Sequence, residues 1–242
     1  MALYTISDLH LSTLASTNKS MEVFGHRWDN YINRLKSNWE RLIEDDDTVV
    51  IPGDISWALS LSEAVSDLKF IDNLPGKKII GKGNHDFWWS TMNKHEQLFE
   101  KENINTISFL FNNAYEVENY IIAGTRGWYS DEDAKNAPDN ADFKKLINRE
   151  CFRLNTSLDK AKTIQKASPD KEIIVFMHFP PVWNGKCSDE LIDVLKKYEI
   201  KHLYFGHIHG SYCVEPSFVY EGIKMSLISA DFIEFTPKII KV

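Results

Sequence analysis

The stretch Lys77-Lys-Ile-Ile-Gly-Lys-Gly-Asn-His-Asp86 decides how the rest of the chain is read. Lys77–Ile80 reads as a short strand, and Gly83-Asn84-His85-Asp86 follows it at once. Glycine lets the backbone turn sharply at that point. Three consecutive polar side chains after an apolar strand do not fit packing, so the turn reads as a place where chemistry is presented.

The same arrangement recurs along the chain. Leu3–Ser7 reads as a buried strand and leads into Asp8-Leu-His10. Thr48–Ile51 is a strand followed by Gly53-Asp54, Glu172–Met177 is one followed by His178, and His202–Phe205 is one followed by Gly206-His207-Ile-His209-Gly210. Ligands of an open α/β sheet bind outside the carboxyl ends of its strands, so these residues are expected to converge on one edge. Side chains two apart on an extended chain face the same way, so Asp8 and His10 can reach one metal, and His207 and His209 repeat the same-face arrangement with two imidazoles.

Helices separate the strands. Trp28, Tyr31, Ile32, Leu35, Trp39, Leu42 and Ile43 share one face of an expected helix over Arg27–Glu44. Ser60-Leu-Ser-Glu63 has the form of a capping box opening a helix that runs through Ile71. Ser90–Glu102 is a third helix. Strands alternating with helices imply parallel pairing, because parallel neighbours need a crossover. From Ile107 the pattern changes: Ile107–Phe111, Ala114–Val117 and Tyr120–Ala123 read as a hairpin-like meander. A long helix is expected after Pro138, with Phe143, Ile147, Cys151, Leu154, Leu158 and Ala161 on one face and Pro169 beyond its end. Ser188–Tyr198 reads as a further helix and the last thirty-odd residues as a β meander. Asp45-Asp46-Asp47 reads as a solvated turn. No linker, repeat or low-complexity tract interrupts residues 1–242, which reads as a single domain.

Composition narrows the function. A hydrophobic fraction of 43% supports a sizeable core. The net charge is -7 and the Lys and Arg residues are scattered, which speaks against an extended nucleic-acid surface but not against a small phosphorylated substrate. Cys151, Cys187 and Cys213 are odd in number and form no C-x-x-C pair, so a reducing compartment is favoured over a disulfide framework. The N-terminus has no signal-peptide pattern, and no apolar run approaches the ~20 residues of a membrane span. The expectation is a cytoplasmic protein with no membrane partner; the sequence carries no sign of its oligomeric state.

Taken in order, D-x-H, G-D, G-N-H-D, H and G-H-x-H resemble the signature of the calcineurin-like metallophosphoesterase superfamily. The resemblance runs from Leu3 to the C-terminal strands with no ligand replaced. It implies an α/β fold, a four-layer α/β/β/α sandwich of two mixed β-sheets flanked by helices. It implies that Asp8, His10 and His209 hold one metal, that Asn84, His178 and His207 hold a second, and that Asp54 bridges them through its two carboxylate oxygens. It makes His85 the residue that assists the leaving oxygen and Asp86 the one that orients His85. Four imidazoles with carboxylate oxygens suit two divalent ions drawn from Mn, Fe, Zn, Co or Ni better than Ca or Mg. Asp8 and Asp54 neutralise only part of the four metal charges, so the site attracts an anionic phosphoryl group. The implied reaction is in-line attack of a metal-bridging hydroxide on a phosphomonoester or phosphodiester of a small substrate. A Ser/Thr protein phosphatase and a non-catalytic interaction module on the same fold are the other readings; the intact ligand set speaks against the module.

Several positions admit two readings. His26 and Arg27, in Gly25-His26-Arg27-Trp28, are either phosphate contacts at a helix N-terminus or part of a capping surface segment. Arg126, flanked by glycine in Gly124-Thr-Arg-Gly127, is either a phosphate clamp or a surface cation. Phe87, Trp88, Trp89, Trp128, Tyr129 and Trp183 either stack on a base or pack in the core. Lys82 reads as a surface residue at a strand end, and His95 and His202 read as peripheral.

Overall fold

Alternation along the central strands builds the layers of the protein, which is described by a computed structural model over residues 1–13, 19–129 and 142–241. Successive side chains of a strand point to opposite faces, so one strand can feed two cores. In β2 (Thr48–Ile51), Val49 and Ile51 enter one apolar cluster while Val50 enters another. In the later strand Glu172–Met177, Ile173, Val175 and Met177 face a third cluster while Ile174 and Phe176 join Val50. Three stacked cores require four layers.

The first sheet runs β13-β1-β2-β3-β4, with β1 Leu3–Thr5, β3 Lys77–Ile80, β4 Ile107–Phe109 and β13 Lys238–Ile239. Only β13 is antiparallel to its neighbour. The second sheet runs β11-β12-β10-β7-β6-β5, with β5 Tyr115–Val117, β6 Tyr120–Thr125, β7 Glu172–Met177, β10 His202–Phe205, β11 Ser217–Tyr220 and β12 Ile223–Leu227. Its four inner strands are parallel and its two edges antiparallel. A short ribbon, β8 Val182–Trp183 with β9 Lys186–Cys187, lies apart.

Helices α1 (Tyr31–Leu42), α2 (Val65–Asp72) and α3 (Met92–Glu102) cover the first sheet through Leu35, Trp39, Leu68, Ile71 and Phe99. Helices α4 (Phe143–Ala167) and α5 (Asp189–Lys197) cover the second through Ile147, Leu154, Leu158, Leu191 and Leu195. This is the α/β/β/α sandwich of two mixed sheets. The sheets face each other across Leu3, Val50, Ile79, Ile122, Ile174 and Phe176. No helix among the described residues is long and apolar enough to cross a membrane.

The reciprocal capping-box bonds form, the Ser60 amide donating to Glu63 Oε2 at 3.2 Å and the Glu63 amide to Ser60 Oγ at 3.4 Å. They close a turn over 61–64, however, and α2 begins at Val65 with Ala64 before it and no side-chain cap. Three further elements differ from expectation. The first helix starts at Tyr31, because Asn30 takes a left-handed conformation (φ 51°) that ends the 3-10 turn His26–Trp28. The Ile107–Val117 region does not form one meander. Strand β4 pairs in parallel with β3, and the β5–β6 hairpin belongs to the other sheet. The chain's end is likewise split: β11 and β12 form a hairpin, and β13 crosses to β1. The crossing is anchored where Ser7 N–H donates to Ile228 and Ala230 N–H donates back to Ser7. Pro138, expected before α4, lies outside the described residues; Asp142 caps that helix by accepting from the Lys145 amide at 3.0 Å.

Candidate metal centre

Beyond their last paired residues, the strands continue as loops held side by side by backbone bonds. Asp8 N–H donates to Gly53 at 3.0 Å, His10 N–H to Asp54 at 2.9 Å and Leu11 N–H to Ile55 at 2.9 Å. Gly206 N–H donates to His178 at 3.2 Å, and His178 N–H to Arg126 at 3.1 Å. Asp8, His10, Asp54 and His207 all have positive φ, from 45° to 70°. Asp8 and His10 therefore converge through two left-handed residues, not through strand alternation. Such positions cost of order 1 kcal/mol or more each and persist only where the surroundings enforce them. Gly83 and Gly206 permit the approach: a Cβ on Gly83 would collide with the Asp54 carboxylate, and one on Gly206 with that of Asp8.

The loops bring all seven expected ligands together. His10 Nε2 lies 3.1 Å from His209 Nε2, and His209 Nε2 lies 3.5 Å from Asp8 Oδ1. Asn84 Oδ1 sits between His178 Nε2 at 2.7 Å and His207 Nδ1 at 3.0 Å. Asp54 Oδ2 is 3.5 Å from His10 Nε2 and 3.5 Å from His178 Nε2, so it borders both groups. Donors ~2.1 Å from one ion stand roughly 3.0–3.4 Å from each other, and the separations here, from 2.7 to 3.5 Å, bracket that range. Asp8, His10 and His209 can share one cation, as can Asp8, Asp54 and His178. The expectation that Asp54 bridges through both oxygens is corrected, because its Oδ1 accepts the His85 amide at 2.8 Å and only Oδ2 faces both groups.

Asp86 also has a different position from the one expected. Its buried carboxylate accepts from the amides of Gly83 (2.7 Å), Ile55 (2.8 Å), Asp54 (2.9 Å) and Ser56 (3.2 Å), and from the Trp88 indole at 2.9 Å. None of these donors belongs to His85, whose Nδ1 is buried with no partner. Asp86 is a clasp between the Asp54 and Asn84 loops, not an orienting partner of His85. His85 is held by Trp57, whose ring lies 4.3 Å from it and also stacks at 4.9 Å on His10.

Electrostatics mark the cluster as a cation site. Burial pushes the His10 and His178 imidazoles well below their ordinary range and His207 to about 4. Burial, with repulsion from Asp8 and Asp86, pushes the Asp54 carboxyl well above its usual range. Burial would also lower His209, but its bonds to Asp231 and Asp8 outweigh this and raise it to about 10. Asp231 accepts from His209 Nδ1 at 2.8 Å, from the Gly210 amide at 3.2 Å and from the Tyr212 hydroxyl at 3.0 Å. It thereby turns the Nε2 of His209 toward the other donors, as carboxylates do for metal-bound histidines. Neither Asp231 nor Trp57 is a sequence-expected site residue. Both nevertheless follow strand ends, Trp57 beyond β2 and Asp231 beyond β12.

The expected substrate contacts fare unevenly. His26 is fully exposed and pairs with Asp29 at 2.9 Å, in a 3-10 turn rather than at a helix N-terminus. Arg27 pairs with Glu234 and lies over the Tyr212 ring at 4.4 Å. Both are thus engaged with partners other than the ligand residues, Arg27 on the ring of Tyr212 that bonds Asp231. Arg126 is near them: its carbonyl holds the amides of His178 and Phe179, and its guanidinium lies over Trp128 at 4.8 Å. Trp88, Trp128 and Tyr129 are buried, while Phe87 is exposed beside His85. His95 is fully buried, accepts the Ser90 amide at 3.0 Å and stacks on Phe109 at 4.3 Å, so it is a core residue and not peripheral.

A family model described as calcineurin-like phosphoesterase matches residues 1–211. No curated protein matches the sequence. Among solved structures, the chain is similar to the phosphopantetheinyl hydrolase from Mycobacterium tuberculosis, at 13% identity and a TM-score of 0.54, over 99% of this chain and 95% of that one. It is also similar to the protein TT1561 of Thermus thermophilus, at 10% identity and a TM-score of 0.54, over 99% and 97% of the two chains. At these identities the likeness establishes the fold alone.

Replacing Asp86 with alanine strands four buried amides and an indole N–H, each costing about 1–3 kcal/mol. Urea unfolding of Asp86→Ala is expected to show a loss of at least about 3 kcal/mol; near-parental stability would contradict the clasp. Because its bonds to Asp231 and Asp8 raise His209 to about 10, metal loading at pH 7 should release at least one proton per chain, read by calorimetry in two buffers. Asp231→Asn should bind metal about 10–100-fold more weakly and release less proton, because His209 loses its anionic partner.

Proposed function

Because the chain belongs to the calcineurin-like phosphoesterase family, we propose that it is a two-metal hydrolase of phosphomonoesters or phosphodiesters of a small molecule. The observation that carries this reading is Asp54 Oδ2, at 3.5 Å from both His10 and His178. One oxygen shared by two donor groups suits a pair of adjacent ions better than a single one. Asp8, His10 and His209 would hold the first ion, and Asn84, His178 and His207 the second. The mixture of imidazole nitrogens with carboxylate and amide oxygens suits Mn, Fe, Zn, Co or Ni. When bound, two such ions polarise the phosphoryl oxygens and lower the pKa of a water, so that displacement can run near neutral pH.

The chain's own residues supply the rest. Burial, reinforced by His209 and Lys19 against the pull of Asp8, holds the His85 imidazole below its ordinary range. At pH 7 it is therefore neutral. With Nδ1 buried, Nε2 is the nitrogen left to meet the leaving oxygen, and an N–H there stabilises the departing group. Trp57 fixes the ring's plane and keeps water from its face. The -7 net charge and the lack of a basic stripe in the sequence favour a small substrate over a polymer. Three cysteines without a C-x-x-C pair support a reducing, cytoplasmic setting.

Initial rates on bis(p-nitrophenyl) phosphate and p-nitrophenyl phosphate, after Mn loading, test the reading. Turnover that a chelator abolishes is expected on at least one ester. No turnover with two ions bound would contradict the hydrolase. On esters with poor leaving groups, His85→Ala should lose roughly 100-fold or more in kcat while keeping its metals. Undiminished rates on such esters would remove His85 from the chemistry.

A further inference from the structure

A cleft beside the metal centre is lined by Lys82, Arg126 and Arg153 together with Phe111 and Asn112, the Arg153 guanidinium lying over the Phe111 ring at 5.2 Å. Both ends of the cleft are tied to ligand loops. Lys82 stands two residues before Asn84, within ~7 Å of chain. The Arg126 carbonyl accepts the His178 amide at 3.1 Å. The cleft therefore borders the donor group made by Asn84 and His178.

Its charge is out of balance. Lys82 lies in the field of Arg126, Arg153 and Arg149 and is opposed by Asp86, while Arg126 is opposed by Glu150 and Asp54. Asp86 is already engaged by four amides and the Trp88 indole, and Asp54 by the His85 amide and the ligand imidazoles. Glu150 is fully buried and already engaged: it accepts from Arg153 at 2.8 Å, from Arg149 at 3.2 Å and from the Thr125 hydroxyl at 2.7 Å. Among the described residues the Lys82 ammonium has no hydrogen-bond or ion-pair partner within reach, and Arg126 Nε is buried without one. The cleft's own lining thus carries three cations and no carboxylate, and the acidic groups that oppose them, Glu150, Asp86 and Asp54, are each engaged elsewhere, inside a protein whose net charge is -7. Half-buried cations without counter-charges are costly unless an anion completes them. A tetrahedral oxyanion does so, since Arg and Lys donors form charge-assisted bonds to its oxygens.

We propose that Lys82, Arg126 and Arg153 form an anion subsite for a second phosphate of the substrate, so that the preferred substrate class is a small bisphosphorylated molecule. This rests on the phosphoesterase reading, with the scissile phosphate at the metal ligands and the second one in the cleft. Lys82 is thereby a recognition residue rather than a surface one. The subsite would select substrates by binding and leave the bond-breaking step to the metal centre and His85.

The test has two arms, neither of which uses turnover. In chelator-treated protein no metal ion is left to bind inorganic phosphate, and the Arg153 and Lys82 variants distinguish the cleft from the ligand cluster. Calorimetry should then show one phosphate per chain. The Arg153→Gln variant, which leaves Glu150 paired with Arg149 and Thr125, should weaken it about tenfold, the worth of one charge-assisted bond. Lys82→Gln should do the same. In Mn-loaded protein, propane-1,3-bisphosphonate should bind about tenfold more tightly than propylphosphonate, and Arg153→Gln should erase that advantage. No phosphate binding in the first arm, or binding indifferent to both variants, overturns the subsite. Phosphate binding without any bisphosphonate preference marks a separate anion site and overturns the substrate class. The phosphoesterase reading fails independently, through absence of metal-dependent turnover on the chromogenic esters.

Discussion

A single buried carboxylate that binds no metal governs the geometry of this site. Asp86 gathers the amides of Asp54, Ile55 and Ser56 from one loop and of Gly83 from the next, and adds the indole of Trp88. Those donors belong to the two loops that carry Asp54 and Asn84. With the loops clasped, Asp54 Oδ1 meets the His85 amide and Oδ2 is left facing both donor groups. Loops are ordinarily mobile, and a metal centre needs its donors held closely. Here the rigidity comes from the parallel ladders of both sheets, extended past their ends and closed by one anion.

The site is organised as opposed charges at close quarters. Asp8, Asp54, Asp86 and Asp231 are all buried, with imidazoles that burial holds mostly neutral. Such a cluster is unfavourable by itself and is relieved by cations. Immediately beside it lies the reverse case, the cleft lined by Lys82, Arg126 and Arg153. The two halves are complementary: one is completed by metal ions, the other by an anion, and a phosphorylated molecule can engage both. The left-handed Asp8, His10, Asp54 and His207 show where the chain carries strain to bring this about.

Much of this was legible in the residues. Strand-end placement located all seven residues that the structure gathers into the cluster, while the four layers were implied by the family resemblance, because an unbroken apolar run such as Val49-Val50-Ile51 does not say that its two faces feed different cores. What escaped depended on distant partners. The family resemblance made Asp86 the partner of His85, yet its five donors come from a loop thirty residues away and from a turn of its own. Asp231 was hidden because the tail read as a meander. Applied to β12, the same strand-end rule would have exposed it. Lys82 looked like a surface residue because nothing local reveals that α4 brings Arg149 and Arg153 against it. The helix start at Tyr31 turned on one left-handed Asn30, which hydrophobic period does not register.

The central claim is that two donor groups sharing Asp54 Oδ2 hold two neighbouring ions. Electron paramagnetic resonance of the protein loaded with Mn(II), combined with metal analysis, tests it most directly. Two ions per chain and a spectrum of exchange-coupled Mn pairs are expected, because ions held this way sit ~3.5–4 Å apart. One ion per chain, or two giving only the six-line spectrum of isolated Mn(II), would contradict the account.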